Sequence, residues 1–135
     1  MRYALDTNLA VSALFKLETP PAVVIAAWQM RRFEWVTCET QIIELRVTLR
    51  QPKTIARSLG GADAVETLLF HIESRCLTRT LSAPWSKVCR DPDDDFLFAL
   101  FDQGHVDALI SGDKDVLTLK GRYPVLTPRE LIDRL

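Results

Sequence analysis

The residues in this chain that could do chemistry are acids. Asp6 stands directly behind the apolar stretch Arg2-Tyr-Ala-Leu5, and Asp113 and Asp115 follow Ala108-Leu109-Ile110 through Ser111-Gly112. Asp91 and the triple Asp93-Asp94-Asp95 crowd ahead of an apolar run at 96–101. Glu44 lies among Ile42, Ile43 and Leu45, on or beside a buried stripe where an unpaired carboxylate is costly. Carboxylates gathered in one pocket repel one another, which is tolerable only with a cation or with raised pKa values. Carboxylate and water oxygens are the ligands that Mg2+ and Mn2+ take. Such a centre supports phosphodiester hydrolysis by activating water and stabilising the leaving oxygen. Taken singly, each acid has a plainer role. Asp6 can cap a helix, Asp113 can sit in a turn, and Asp93 and Asp94 can offset a helix dipole. Glu44 can lie beside Arg46 or Arg50 on a solvated face. Their joint placement favours the metal reading.

The elements that must position these acids read as alternating strands and helices. Residues 2–5 predict a strand and 9–15 a helix. Pro20 and Pro21 suit a first helical turn, opening an apolar-faced segment at 22–31, and 34–37 predict a second strand. Ile42, Ile43, Leu45 and Leu49 recur at helical spacing within 39–50, and Pro52 ends that helix. Gly60-Gly61 precedes a helix of about a dozen residues through Ala64, Leu68, Leu69 and Ile72. Residues 77–81 predict a third strand or extended edge, 84–92 a loop, and 93–101 a helix closed by Gly104. A strand at 108–110, a short helix at 116–119, a strand at 123–126 and the capping box Thr127-Pro-Arg-Glu130 complete the chain. The alternation predicts an α/β fold, a three-layer α/β/α sandwich with a central parallel sheet of about four or five strands. Ligands in such sheets bind at the carboxyl ends of the strands, where Asp6 and Asp113 both fall.

Composition narrows the classes. The 135 residues predict one domain, 1–135, with 17 Lys plus Arg against 18 Asp plus Glu and a net charge of −1. That excludes a nucleic-acid binder working by bulk positive charge. With 47% hydrophobic and 26% charged residues the chain is not disordered. It has no apolar stretch long enough for a membrane span, and the start turns polar too soon for a signal peptide. Cys38, Cys76 and Cys89 lack zinc-ligand spacing, which predicts reduced thiols in a cytoplasmic protein.

Five segments in order carry a resemblance: LDTNLAVSALF at the start, Ile-Ile-Glu-Leu-Arg at 42–46, RDPDDDFLFAL at 90–100, DALISGDKDVL at 107–117, and VLTPREL near the end. Together they resemble the PIN-domain family over nearly the whole chain, and within it the VapC-like ribonucleases that act as toxins of toxin–antitoxin systems. The resemblance implies an endoribonuclease using Mg2+ or Mn2+, with Asp6, Glu44, Asp95 and Asp113 as catalytic metal ligands and Asp115 as an accessory acid. Asp95 is preferred within its triple because Phe98 and Ala99 follow at the family's offsets. Thr7, Asn8 and Ser111 fall where companions orient the ligands. Ile43 stands where relatives often carry another acid, so Glu44 has no substitute on its helix.

RNA needs a basic face for its phosphates. Arg46, Arg50, Lys53 and Arg57 recur every three or four residues from the helix bearing Glu44 onward, Lys87 and Arg90 flank the acidic loop, and Lys114 stands between two acids. Ordinary solvated charge explains any one of them. Partners implied are RNA, a cognate antitoxin and a second copy of the chain. The dimer is expected because Trp28, Phe33 and the 64–72 helix offer more apolar surface than one small core requires. Two other phosphate-handling folds fit poorly. A haloacid-dehalogenase phosphatase needs an acid at position 8, which is Asn, and a receiver domain needs paired acids at its first strand. A non-catalytic PIN-fold RNA-binding or scaffold module, and an RNA-processing or decay nuclease outside any toxin role, remain alternatives.

Overall fold

A computed structural model describes residues 1–135. Its elements run β1 (Arg2–Leu5), α1 (Thr7–Ala13), α2 (Pro20–Gln29), β2 (Glu34–Thr37), α3 (Glu39–Leu49), α4 (Pro52–Arg57), α5 (Gly61–Arg75) and β3 (Leu77–Thr78). A 3-10 turn at Pro92–Asp94 leads into α6 (Asp95–Asp102), followed by β4 (Ala108–Ile110), α7 (Lys114–Leu117), β5 (Val125–Leu126) and α8 (Pro128–Ile132). The strands form one five-stranded sheet in the order β3-β2-β1-β4-β5. Every pairing is parallel.

Strand alternation sorts the core into two layers. Tyr3, Leu5, Trp35, Ala108, Ile110 and Leu126 face one side, where they meet apolar residues of α1, α2, α3, α5 and α8. Ala4, Val36, Leu109 and Val125 face the other, against Phe96, Leu97, Phe98 and Leu100 of α6 and Val116 of α7. The α/β/α sandwich with a parallel central sheet is therefore the observed architecture. No helix is long and apolar enough to cross a membrane.

Several boundaries move for local reasons. The third strand pairs only at Leu77–Thr78 instead of 77–81. Arg79 N–H still reaches the Thr37 carbonyl at 2.8 Å, and the chain then leaves the sheet as an irregular strap, residues 79–91. The last strand shrinks from 123–126 to two residues, because Pro124 has no N–H and the Tyr123 ring packs on Phe98 instead, at 4.8 Å. Pro52 follows the end of α3 as expected but also opens α4 at a first-turn position. The short helix expected at 116–119 starts at Lys114, since the Asp113 carboxylate accepts the Asp115 N–H at 2.9 Å.

The apolar surplus behind the dimer expectation lies inside the chain. Trp28 and Phe33 are buried with Leu68, Leu69 and Ile72, Trp28 edge-on to Trp35 at 5.1 Å. Of the 64–72 segment, only Phe70 among the large apolar residues is exposed. That expectation loses its support.

Candidate active site at the carboxyl edge of the sheet

Because all strands are parallel, their carboxyl ends share one rim. β1 delivers Asp6 there and β4 delivers Ser111 and Asp113. Asp6 is both an N-cap and a site residue. Its Oδ1 accepts the Asn8 N–H at 3.1 Å, capping α1, while its Oδ2 accepts the Ser111 hydroxyl at 2.7 Å. The Ser111 Oγ in turn accepts the Asp113 N–H at 3.0 Å. One hydroxyl thus locks the ends of the two central strands together and fixes both acids.

Glu44 comes from α3, and its placement depends on a residue that the sequence did not single out. Gln41, one turn earlier, is fully buried. Its amide nitrogen donates to the Leu5 carbonyl and, at 3.5 Å, to Thr7 Oγ1. Its amide oxygen accepts the Thr37 hydroxyl at 2.6 Å. These bonds tie α3 to the ends of β1 and β2. They set Glu44, half-buried, beside the Thr7 hydroxyl. The available signal was a polar side chain in line with Leu45 and Leu49 on the buried stripe.

The third acid is expected at Asp95. Asp95 is buried, and its charge is not among those acting on Asp6, Glu44 or Asp94. Its Oδ1 accepts the N–H groups of Val88 at 3.0 Å and Cys89 at 2.7 Å, which anchors the strap. Its neighbour Asp94 is the acid that the other rim carboxylates act on. It makes no capping bond, and its Oδ2 is buried without any hydrogen-bond partner. Burial and then the charges of Asp6, Asp91, Asp113 and Glu44 push its carboxyl up to about 7. Burial also raises Asp6 and Glu44. Asp113 and Asp91 add to the shift at Asp6, and Asp6, Asp93 and Asp91 to that at Glu44.

Asp6, Glu44, Asp91, Asp94 and Asp113 therefore sense one another across a single rim. Asp91, one of the acids grouped ahead of the apolar run in the sequence, belongs to this set, and its Oδ1 also caps the 3-10 turn through the Asp93 N–H at 3.0 Å. Asp115 lies to one side, next to Cys89. A cleft of about 290 Å³ opens beside Asp6 and Asp113, lined also by Asn8, Ser12 and Gly112.

No group of three or more His, Cys, Asp or Glu side chains is arranged to hold a metal ion by itself. The donors are all oxygen, and one buried carboxylate oxygen is orphaned among four other acids. That chemistry fits Mg2+, which keeps several of its waters and needs only one or two direct carboxylates. Burial pushes all three thiols up, and the cysteines are free, so none is a ready nucleophile at neutral pH.

The basic residues divide. Arg46 meets Glu73, and Arg50 makes two bonds to Glu66 at 3.0 and 2.8 Å, both pairs joining α3 to α5. These two arginines, expected on an RNA face, are engaged instead in ion pairs. Lys53, Lys87, Arg90 and Lys114 are exposed and make no ion pair. Lys87 and Arg90 lie on the strap, and Lys114 beside Asp113.

A parallel α/β sandwich with acids at the carboxyl rim defines a class of phosphate-handling folds, and comparison narrows it. Residues 2–115 match the PIN domain, and the chain belongs to that family. PIN domains are generally nucleases that act on RNA and use divalent metals such as Mg2+. No curated protein and no solved structure matches the chain.

Proposed function

We propose that this protein is a Mg2+- or Mn2+-dependent endoribonuclease whose metal is held, directly or through water, by Asp6, Glu44, Asp94 and Asp113. The carrying observation is the orphaned, buried Asp94 oxygen facing four other carboxylates. Uncompensated charge of that kind costs stability unless a cation relieves it. When bound, the ion supplies an activated water and stabilises the charge that builds on the leaving oxygen. The chain's own residues prepare the site. Ser111 holds the Asp6 carboxylate in one orientation, and the Thr7 hydroxyl steadies Glu44. Near neutral pH Asp94 can hold a proton that an arriving cation displaces. Asn8, exposed at the cleft, reaches substrate, and Lys87, Arg90 and Lys114 face its phosphates.

The VapC-like motifs extend the proposal to a toxin role with a cognate antitoxin. The check there is growth arrest on induction, relieved by co-expression of an adjacent reading frame. The activity itself is tested by cleavage of an RNA panel with Mg2+ or Mn2+. Wild type is expected to cut, and Asp6→Asn and Asp113→Asn to be nearly inactive. Equal activity in all three sinks the site assignment. RNA binding without cleavage by wild type supports the non-catalytic module instead.

A further inference from the structure

A second cleft, of about 320 Å³, lies at the same carboxyl edge, at the ends of β2 and β3. Its walls include Cys38 and Thr40 at the start of α3, Thr78 at the end of β3, and Arg79 and Trp85 on the strap. Two features give it chemistry. Arg79 is half-buried, forms no ion pair, and its guanidinium reaches only the Thr78 carbonyl, at 3.5 Å. Trp85 is partly exposed, whereas Trp28 and Trp35 are buried. The first-turn N–H groups of Thr40 and Gln41 are directed at the Cys38 sulfur, so the arginine and the indole are the groups left for a ligand. The one acid on the walls, Glu39, is exposed.

The strap is built to hold these groups in place. Gln103, just past α6, bonds Ser82 in both directions, accepting its N–H at 2.8 Å and donating to its carbonyl at 3.0 Å. Asp95 pins Val88 and Cys89 on the far side of Trp85. An aromatic held between two anchors, next to an arginine without a carboxylate, matches how single-stranded nucleic acid is bound: bases stack on the ring and the backbone follows positive charge. β3 lies two strands from β1, so the cleft sits roughly 10 Å along the rim from Asp6. We propose that this cleft is a nucleotide subsite for single-stranded RNA, with Trp85 stacking on a base and Arg79 binding the adjoining phosphate. It rests on the ribonuclease reading and adds to it the strand state of the substrate and the side from which it approaches.

The test uses Asp113→Asn protein, so that RNA is not consumed, and a short fluorescein-labelled single-stranded RNA, with anisotropy giving affinity at several salt concentrations. Arg79→Ala is expected to weaken binding and to reduce the salt slope by about 0.7, the value of one phosphate contact on a single strand. Trp85→Ala is expected to weaken binding roughly 5- to 100-fold with the slope unchanged, and Trp85→Phe to retain most of it. Arg50→Ala, which lies in an ion pair elsewhere, is expected to leave binding unchanged. Unlabelled RNA should quench tryptophan fluorescence in the parent but not in Trp85→Phe. Circular dichroism reports folding, and Arg79→Ala keeps the proposal testable should Trp85→Ala unfold. If RNA binds both variants as it binds the parent, the subsite is overturned while RNA binding stands. If the wild-type protein neither binds nor cleaves any RNA, the ribonuclease reading falls with it.

Discussion

The α3–α5 face and the carboxyl rim use the same residue types to opposite ends. On the face, Glu66 and Glu73 meet Arg50 and Arg46 across two helices, and the Arg50 guanidinium holds the Glu66 carboxyl below its usual range. At the rim, Asp6, Glu44, Asp91, Asp94 and Asp113 meet one another, and burial raises three of them. A chain with 17 basic and 18 acidic residues had the means to pair these acids as well. Uncompensated charge gathered in one place is the pattern that the proposed metal site requires.

The largest expected break of this contrast is chemical. Asp6→Asn or Asp94→Asn should lower metal-dependent RNA cleavage by more than about 100-fold, exceeding the effect of a ligand's supporting neighbour. Ser111→Ala, which only orients Asp6, should cost about 10- to 100-fold. Initial cleavage rates in Mn2+ give both. Asp95→Asn sharpens the comparison, since its carboxylate anchors the strap. Its cleavage loss should be smaller than that of Asp94→Asn, and its melting temperature lower than wild type. The reverse ranking would restore Asp95 to the metal.

A second group of effects appears in stability. Gln41→Ala leaves the Leu5 carbonyl and the Thr37 hydroxyl without their buried partner, an expected loss of about 1–3 kcal/mol by denaturant unfolding. The pH dependence carries a definite sign. A carboxyl whose folded pKa is raised binds more protons folded than unfolded, so stability falls as pH rises between the two values. For Asp94 that window runs from 3.8 to about 7. In chelator, the melting temperature should decline across it, and Asp94→Asn should flatten the decline while removing activity. Mg2+ or Mn2+ should raise the melting temperature most at the upper end. The smallest effect belongs to the paired face: Glu66→Gln, at an exposed ion pair, should leave cleavage unchanged and melting nearly so.

Most of the scaffold was legible because each element announces itself locally. Apolar runs end in Asp6 and Ser111, proline and a capping box open α8, and the alternation dictates a parallel sheet. Asp6, Glu44 and Asp113 followed from where the strands end and which helix face is buried. Which of Asp94 and Asp95 is left without a hydrogen-bond partner did not, for a geometric reason. Neighbouring residues on a helix point about 100° apart, and the 3-10 turn at Pro92–Asp94 sets which one bonds the strap. Gln41 was equally hidden, since its role depends on Leu5 and Thr37, which the chain brings together only in the sheet. The ion pairs of Arg46 and Arg50 required knowing that α5 packs on α3.

Calorimetric titration of Mn2+ into the RNA-free protein at neutral pH tests the central claim most directly, because it asks whether the unpaired rim is a cation site without relying on any chosen RNA. Saturable binding by wild type and Glu66→Gln, lost in both Asp6→Asn and Asp94→Asn, is the predicted result. Absence of binding in wild type, or binding of equal strength in all four proteins, would contradict it.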